Sequence, residues 1–186
     1  MIPWETDIGK ALARGAAEQR SILLEFYSPE CIGCKQMDAV TFPDQAVSNF
    51  IIDRMVPLRA PVEGKALAAD FRVGWTPTLI VLDYYGKEHQ RTLGYLPPDE
   101  MVASLLLGIG KVGLGNDQFN EAVLQFSTLL NGYPHSACAP EAVYLRGVAR
   151  FKSSHSATAL KEAYRQLLAE YPGSEWTRRA EPYTLL

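Results

Sequence analysis

Two cysteines separated by two residues, Cys31 and Cys34, have the clearest capacity for chemistry in this sequence. They follow an apolar, strand-like run that ends at Tyr27, and the segment after them, Lys35 to Val40, is predicted to be helical. Residues three apart at a helix start lie on one side of its first turn, so their sulfurs can form a disulfide. The unpaired N–H groups of that turn lower a thiol pKa below its ordinary value of about 8.5. Because the thiolate is the attacking species in disulfide exchange, the pattern predicts thiol–disulfide chemistry.

Zinc binding is the alternative for the same pair, because Cys-x-x-Cys also begins many tetrahedral zinc sites. Such a site needs four ligands, and the candidates for its second half are His135 and Cys138, far along the chain. The strand before the pair and a Thr-Pro sequence further on, Thr76-Pro77, favour redox chemistry instead. We therefore expect no metal, and thiol exchange needs no organic cofactor.

The composition excludes several classes of function. The 186 residues are 47% hydrophobic and 21% charged, which is ordinary for one large or two small soluble domains. A net charge of −3 gives no sign of a basic surface that would bind nucleic acid or an anionic membrane. No apolar run approaches the length of a membrane span. The first residues lack the features of a signal peptide. We therefore expect a cytoplasmic protein, although a trimmed, exported chain would begin in the same way.

The first hundred residues alternate between helical and strand-like patterns. This alternation predicts a βαβ unit and a central sheet with helices on both faces. Strands are expected at 21–27, around Val56 and Leu58, at 79–82 and at 90–93, and helices at 5–20, from Cys34 to before Pro43, at 44–50, at 63–71 and from Asp99.

The last third of the chain contains no convincing strand and has an internal recurrence. The segment from Phe126 to Pro134 resembles the segment from Tyr164 to Pro172, at an offset of 38 residues. A recurrence of that length in helical sequence is typical of helix-turn-helix repeats.

The first 110 or so residues resemble the thioredoxin fold, on motifs that match residue by residue. Cys31 and Cys34, followed by Lys35, fit the active-site motif of that family. Pro77, preceded by Thr76, fits the proline that faces the cysteine pair. The resemblance implies that the Thr76–Pro77 peptide bond is cis and that the Thr76 backbone is free to pair with a substrate chain.

Three further residues take their expected roles from this resemblance. Glu25 fits the buried acid behind the second cysteine, where it would take up a proton; the alternative is a surface acid at a strand edge. Gly94 fits a glycine near the active site. Trp75 either lines the substrate groove or is a core aromatic residue.

The segment from Cys31 to Val47 is similar to a narrower group, the C-terminal thioredoxin-like domain of the bacterial transmembrane thiol–disulfide interchange protein. The resemblance implies a protein-disulfide reductase or exchanger in which Cys31 attacks and Cys34 resolves. Glu30 stands where an aromatic residue is usual, and Ile32-Gly33 replaces Gly-Pro. The Glu30 charge should oppose formation of the Cys31 thiolate.

The C-terminal third is similar to tetratricopeptide repeats. We predict a thioredoxin-like domain at 1–110 and helical repeats at 111–186, with the helix at about 99–114 shared by both. Such repeats imply a surface that recruits a protein partner. The competing hypothesis is a co-chaperone or adaptor in which the repeats act and the cysteine pair is secondary.

Overall fold

The computed structural model describes residues 1–63 and 66–186 and divides into two compact units, Met1–Val102 and Ala103–Leu186. The helix expected at 63–71 is described over Ala66–Asp70, and residues 64 and 65 lie outside the description. None of the helices in the described ranges combines the length and the hydropathy that a membrane span requires.

The first unit contains a four-stranded mixed sheet in the order β2-β1-β3-β4, flanked by helices. Strand β1 is parallel to β2 and antiparallel to β3, which is antiparallel to β4. This arrangement confirms the predicted α/β fold. The strands are β1 (Ser21–Tyr27), β2 (Met55–Pro61), β3 (Thr78–Leu82) and β4 (Glu88–Leu93), and the helices are α1 (Ile8–Glu18), α2 (Ile32–Gln36), a π-helical turn (Met37–Thr41), α3 (Gln45–Arg54) and α4 (Ala66–Asp70).

Strand β1 is the centre of this unit because both of its faces are covered. Ile22, Leu24 and Phe26 belong to one core cluster, which also contains side chains from β2, β3, α1 and α4. Successive side chains of a strand point to opposite faces, so Glu25 lies on the other face. The parallel register places Glu25 directly beside Arg59 of β2. The pairing of the strands thus brings two opposite charges together inside the unit.

The second unit is entirely helical over its described residues. Helix α6 packs on α7, α7 packs on α8, and α9 contacts both α7 and α8. The helical character of the C-terminal part is confirmed, whereas its identity as tetratricopeptide repeats and the predicted domain boundary stay predictions. The elements are α5 (Pro98–Gly115), which runs across the boundary of the two units, α6 (Phe119–Gly132), α7 (Ala139–Ser154), α8 (Thr158–Glu170), α9 (Glu175–Ala180) and a 3₁₀ turn (Glu181–Leu185).

Helices α7 and α8 approach each other closely at Gly147. A Cβ built on Gly147 would lie 2.4 Å from the Cβ of Ala163, well inside van der Waals contact. The absence of a side chain at position 147 therefore sets the distance between these helices. The recurring segments also contact each other directly, because the Tyr171 hydroxyl donates a hydrogen bond to the Pro134 carbonyl at 2.7 Å.

Replacing Gly147 with alanine is expected to destabilise the protein by about 1–3 kcal/mol, because overpacking costs more than the roughly 1 kcal/mol that alanine gains in helix propensity. The matched control is Gly132→Ala in α6, where the added Cβ would meet nothing within 4 Å. Thermal and denaturant unfolding of both variants would test this prediction. A Gly147→Ala protein as stable as Gly132→Ala would contradict the close approach of α7 and α8.

Candidate active site

The two cysteines form a disulfide at the start of α2, with their Cα atoms 5.2 Å apart. Cys31 is the N-cap residue, and its Sγ accepts a hydrogen bond from the backbone N–H of Cys34 at 3.0 Å. The sulfur therefore caps the helix, which begins at Ile32, two residues before the predicted start at Cys34. Cys31 is half-buried, whereas Cys34 is only 2% exposed. The pair is thus asymmetric: Cys31 is partly exposed and lines a groove, whereas Cys34 is buried.

The expected helix after the cysteines changes type along its length. It passes from α2 into a π-helical turn, in which the Phe42 N–H donates to the Met37 carbonyl at 2.9 Å. Two contacts tie this turn to the loop after β4: the Thr41 hydroxyl donates to the Leu96 carbonyl, and the Leu96 N–H donates to the Met37 sulfur. The residue pattern did not distinguish a π-turn from an α-helix.

A second loop faces the start of α2. The Thr76–Pro77 peptide bond is cis. The Pro77 carbonyl accepts the N–H of Gly94 at 2.8 Å, and Gly94 has a φ of +88°, a conformation that glycine adopts without strain. The Thr78 hydroxyl donates to the Trp75 carbonyl at 2.7 Å. These bonds join the loop that contains Thr76 and Pro77 to Gly94, and together they form one hydrogen-bonded segment.

Gly33, whose contacts the sequence did not reveal, touches this segment. A Cβ on Gly33 would lie 3.0 Å from Cδ of Pro77 and 3.8 Å from Cβ of Tyr95. Because Gly33 has no side chain, the start of α2 can lie against Pro77. This contact gives a steric reason for the glycine in the unusual Ile32-Gly33 dipeptide.

Trp75 lines a groove of about 600 Å³ that also contains Cys31 and Ile32. The indole is 64% exposed and Ile32 is 84% exposed. Of the two interpretations of Trp75, the groove residue therefore agrees with the structure, and the core aromatic residue was wrong.

Glu25 is completely buried, so the alternative of a surface acid is wrong. Burial raises the pKa of this carboxyl from 4.5 to about 8; the nearby Arg59 opposes the rise and Asp38 adds to it. The Arg59 guanidinium does not fully compensate the buried charge. Its Nε lies 2.9 Å from Oε2 of Glu25, but the two atoms are not aligned for a hydrogen bond. Burial therefore favours the protonated form of this carboxyl.

Arg59 is a site residue that the sequence analysis missed. Its guanidinium also donates to the Asp38 carboxylate at 2.9 Å and lies over the Tyr27 ring, 4.3 Å from the centroid. A charged side chain within the apolar strand-like segment from Val56 to Ala60 was the available signal, the same signal that Glu25 gives in β1.

The residues considered for a zinc site do not form one cluster in the described ranges. No group of three or more His, Cys, Asp or Glu side chains in those ranges is placed to hold a metal ion. Cys138 is not in a disulfide, is half-buried and occupies the N-cap position of α7 in the second unit.

Comparison with known proteins places the first unit in a family. The profile of the family described as "Thioredoxin-like domain" matches residues 8–108, more than half of the chain. A solved thioredoxin from Thermus thermophilus has 30% identity and a TM-score of 0.54, and the match covers 61% of this chain and 92% of that one.

Curated relatives carry the same type of domain within longer chains. The thiol:disulfide interchange protein DsbD of Pectobacterium atrosepticum is 31% identical over 106 residues, which is 53% of this chain and 18% of the relative. The DsbD of Ralstonia nicotianae is 29% identical over 111 residues, 56% of this chain and 18% of the relative. The chain thus spans less than a fifth of these relatives. It belongs to the family of thioredoxin-like domains.

Proposed function

We propose that this protein is a thiol–disulfide oxidoreductase that reduces or exchanges disulfides of other proteins. The observation that carries the proposal is the asymmetry of the cysteine pair, a partly exposed Cys31 at a helix N-cap beside a groove and a buried Cys34. An accessible sulfur can attack, and a buried partner three residues away can complete the exchange. The names of the interchange proteins that share this domain support the same activity.

The reaction begins with the reduced protein. The Cys31 thiolate attacks one sulfur of a substrate disulfide, the substrate S–S bond breaks, and the second substrate sulfur leaves as a thiolate that takes a proton. Cys34 then loses its proton and attacks Sγ of Cys31, which releases the first substrate sulfur. Two electrons pass to the substrate, and the protein is left with the Cys31–Cys34 disulfide. A dithiol or low-molecular-weight thiol must reduce that disulfide before the next turnover.

Glu25 is proposed as the group that accepts the Cys34 proton, directly or through water. A raised pKa near 8 supports this role, because a general base works best when its pKa is near the operating pH. Arg59 is then a positioning residue, since it contacts the Glu25 carboxyl and is itself held by Asp38.

The surroundings of the pair favour reduction over disulfide donation. No histidine lies between the cysteines, and Glu30 precedes Cys31. A less stabilised thiolate makes the oxidised protein a weaker oxidant. Trp75 and Thr76 line the groove beside Cys31 and would receive the substrate chain, with the Thr76 backbone available for strand-like pairing.

Partner recruitment by the helical unit is a second proposal. The recurrence of residues 126–134 at 164–172 and the bond between Tyr171 and Pro134 support stacked helical hairpins. Such stacks provide extended binding surfaces. An adaptor function of this unit would persist in a Cys31→Ser/Cys34→Ser protein, so retention of a client by that variant is its test.

The test of the enzymatic proposal is the reduction of insulin disulfides in the presence of dithiothreitol. Wild-type protein is expected to accelerate the reaction, and Cys31→Ser is expected to show only the rate without protein, because a serine hydroxyl in place of the attacking thiol supplies no thiolate. Cys138→Ser, which removes the cysteine that is not in the disulfide, is the matched control and should retain the wild-type rate. A wild-type rate no greater than that of Cys31→Ser would refute the proposal.

A further inference from the structure

The groove beside Cys31 has apolar walls and an acidic rim. Its walls include Ile32, Val62, Val73 and Trp75, and together with the neighbouring backbone they enclose about 600 Å³. A groove of this composition fits an apolar side chain of an extended polypeptide.

Glu30 is the one charged residue among the described residues that line this groove. A second carboxylate lies beside the groove, because the hydroxyl of Ser28, which lines the groove, donates to Oε1 of Glu63 at 2.5 Å. Both acids are exposed, and within the described ranges no arginine or lysine forms an ion pair with either. Over the described residues, the rim of the groove is therefore acidic.

The nearby arginine does not offset this charge. Arg72 lies two residues before Gly74 in the groove wall, yet its side chain lines a separate pocket with Glu88 and Arg91. A ligand that enters the groove thus meets apolar surface on the walls and carboxylates at the edge.

We infer that the groove selects protein disulfides whose cysteine lies in an extended segment with an apolar neighbour and a lysine or arginine close by. This inference rests on the proposed function. The apolar neighbour packs on Trp75 and Ile32, and the cation faces Glu30 and Glu63. The Thr76 backbone, which has no backbone hydrogen-bond partner among the described residues, supplies the pairing for the extended segment.

The experiment uses two synthetic peptides that contain one internal disulfide and the same apolar neighbours, but carry either lysines or glutamates beside the cysteines. Reduced full-length protein is mixed with each peptide under single-turnover conditions at low and high ionic strength. Uncharged hydroxyethyl disulfide serves as the reference substrate. The rate with each peptide is divided by the rate with this reference, which corrects for any change in the reactivity of Cys31.

Wild type is expected to reduce the lysine peptide about 3- to 10-fold faster than the glutamate peptide at low ionic strength, and the preference should shrink as salt screens the charges. Glu63→Gln should lower the preference and Glu63→Lys should abolish or invert it. Glu63 is chosen because, unlike Glu30, it is not adjacent to Cys31 in the sequence.

Asp53→Lys is the matched control. Asp53 is exposed and lies two residues before the start of β2, where Met55 pairs with Ser21, at the opposite end of the sheet from Tyr27 and the active site. This variant makes the same charge change and should keep the wild-type preference. An equal effect of Asp53→Lys and Glu63→Lys would overturn the inference in favour of net charge alone.

Two other outcomes separate this inference from the proposed function. If hydroxyethyl disulfide is reduced and the two peptides react equally, the groove selectivity is wrong and the oxidoreductase remains. If none of the three disulfides is reduced, the proposed function fails and the inference fails with it.

Discussion

Replacing Cys34 with serine is expected to stop turnover and to leave Cys31 covalently attached to the proteins that it attacks. The first step needs only Cys31, which is accessible at the N-cap of α2. The second step needs a thiol close to the mixed disulfide, and Cys34 is the neighbour that can supply it, with its Cα 5.2 Å away. An intramolecular thiol of this kind has a very high effective concentration, so we expect the turnover rate to fall by more than about 100-fold.

The measurement is mass spectrometry of Cys34→Ser after incubation with a disulfide-containing protein such as insulin. The expected product is an adduct on Cys31 that dithiothreitol releases. Cys31→Ser/Cys34→Ser should form no adduct, although it keeps the thiol of Cys138. Equal trapping by the single and the double variant would show that Cys31 is not the attacking residue.

The parts of the site that the sequence predicted share a local origin. The cysteine spacing determines that both sulfurs lie on one helical turn, and the apolar run Ser21–Tyr27 determines that a strand ends just before them. The interpretation of Pro77 and Gly94 came from resemblance, and the structure places both in one hydrogen-bonded segment. The cysteine spacing and the strand before it depend on a few neighbouring residues, so these two features can be inferred before the chain is folded.

The parts that the sequence did not predict depend on pairing between distant segments. Arg59 meets Glu25 because β1 and β2 are parallel in one particular register, and a shift of one residue would point them to opposite faces. Gly33 matters because α2 lies against Pro77, more than forty positions later. The π-helical turn is tied to Leu96 by side chains and not by its own sequence. A single charged residue within each apolar strand-like segment is the sequence signal that would have predicted the pairing of Arg59 with Glu25.

Replacing Glu25 with glutamine is expected to make the protein more stable at alkaline pH. The native carboxyl has a pKa of about 8 and an ordinary value of 4.5, so between these values the native state binds the proton more tightly than the unfolded state. The stabilising contribution of the Glu25 proton is therefore fully present below pH 4.5 and is lost as the pH rises through 8. At about 1.4 kcal/mol per pH unit, the full loss is on the order of 5 kcal/mol.

Glutamine has nearly the same shape and carries no charge, so Glu25→Gln should lack this loss. Denaturant unfolding of the oxidised proteins should give similar free energies at pH 5, and at pH 9 the variant should be more stable by about 2–4 kcal/mol. Asp53→Asn removes an exposed carboxyl and is the control; its stability should follow the wild-type pH dependence. A wild-type slope that persists in Glu25→Gln would mean that another buried group titrates in this range.

The same substitution separates a catalytic role for Glu25 from a structural one. If Glu25 accepts the Cys34 proton, the resolution of a mixed disulfide on Cys31 should be slower in Glu25→Gln by about 10- to 100-fold, despite the higher stability. The wild-type rate should rise as Glu25 ionises near pH 8, whereas the variant should lack that step. Stopped-flow measurement of resolution from pH 6 to 9 would show this difference. A variant that gains stability but resolves the mixed disulfide at the wild-type rate, with the wild-type pH profile, would remove Glu25 from the mechanism. Glu25 would then be a buried acid that destabilises the protein at alkaline pH without a catalytic role.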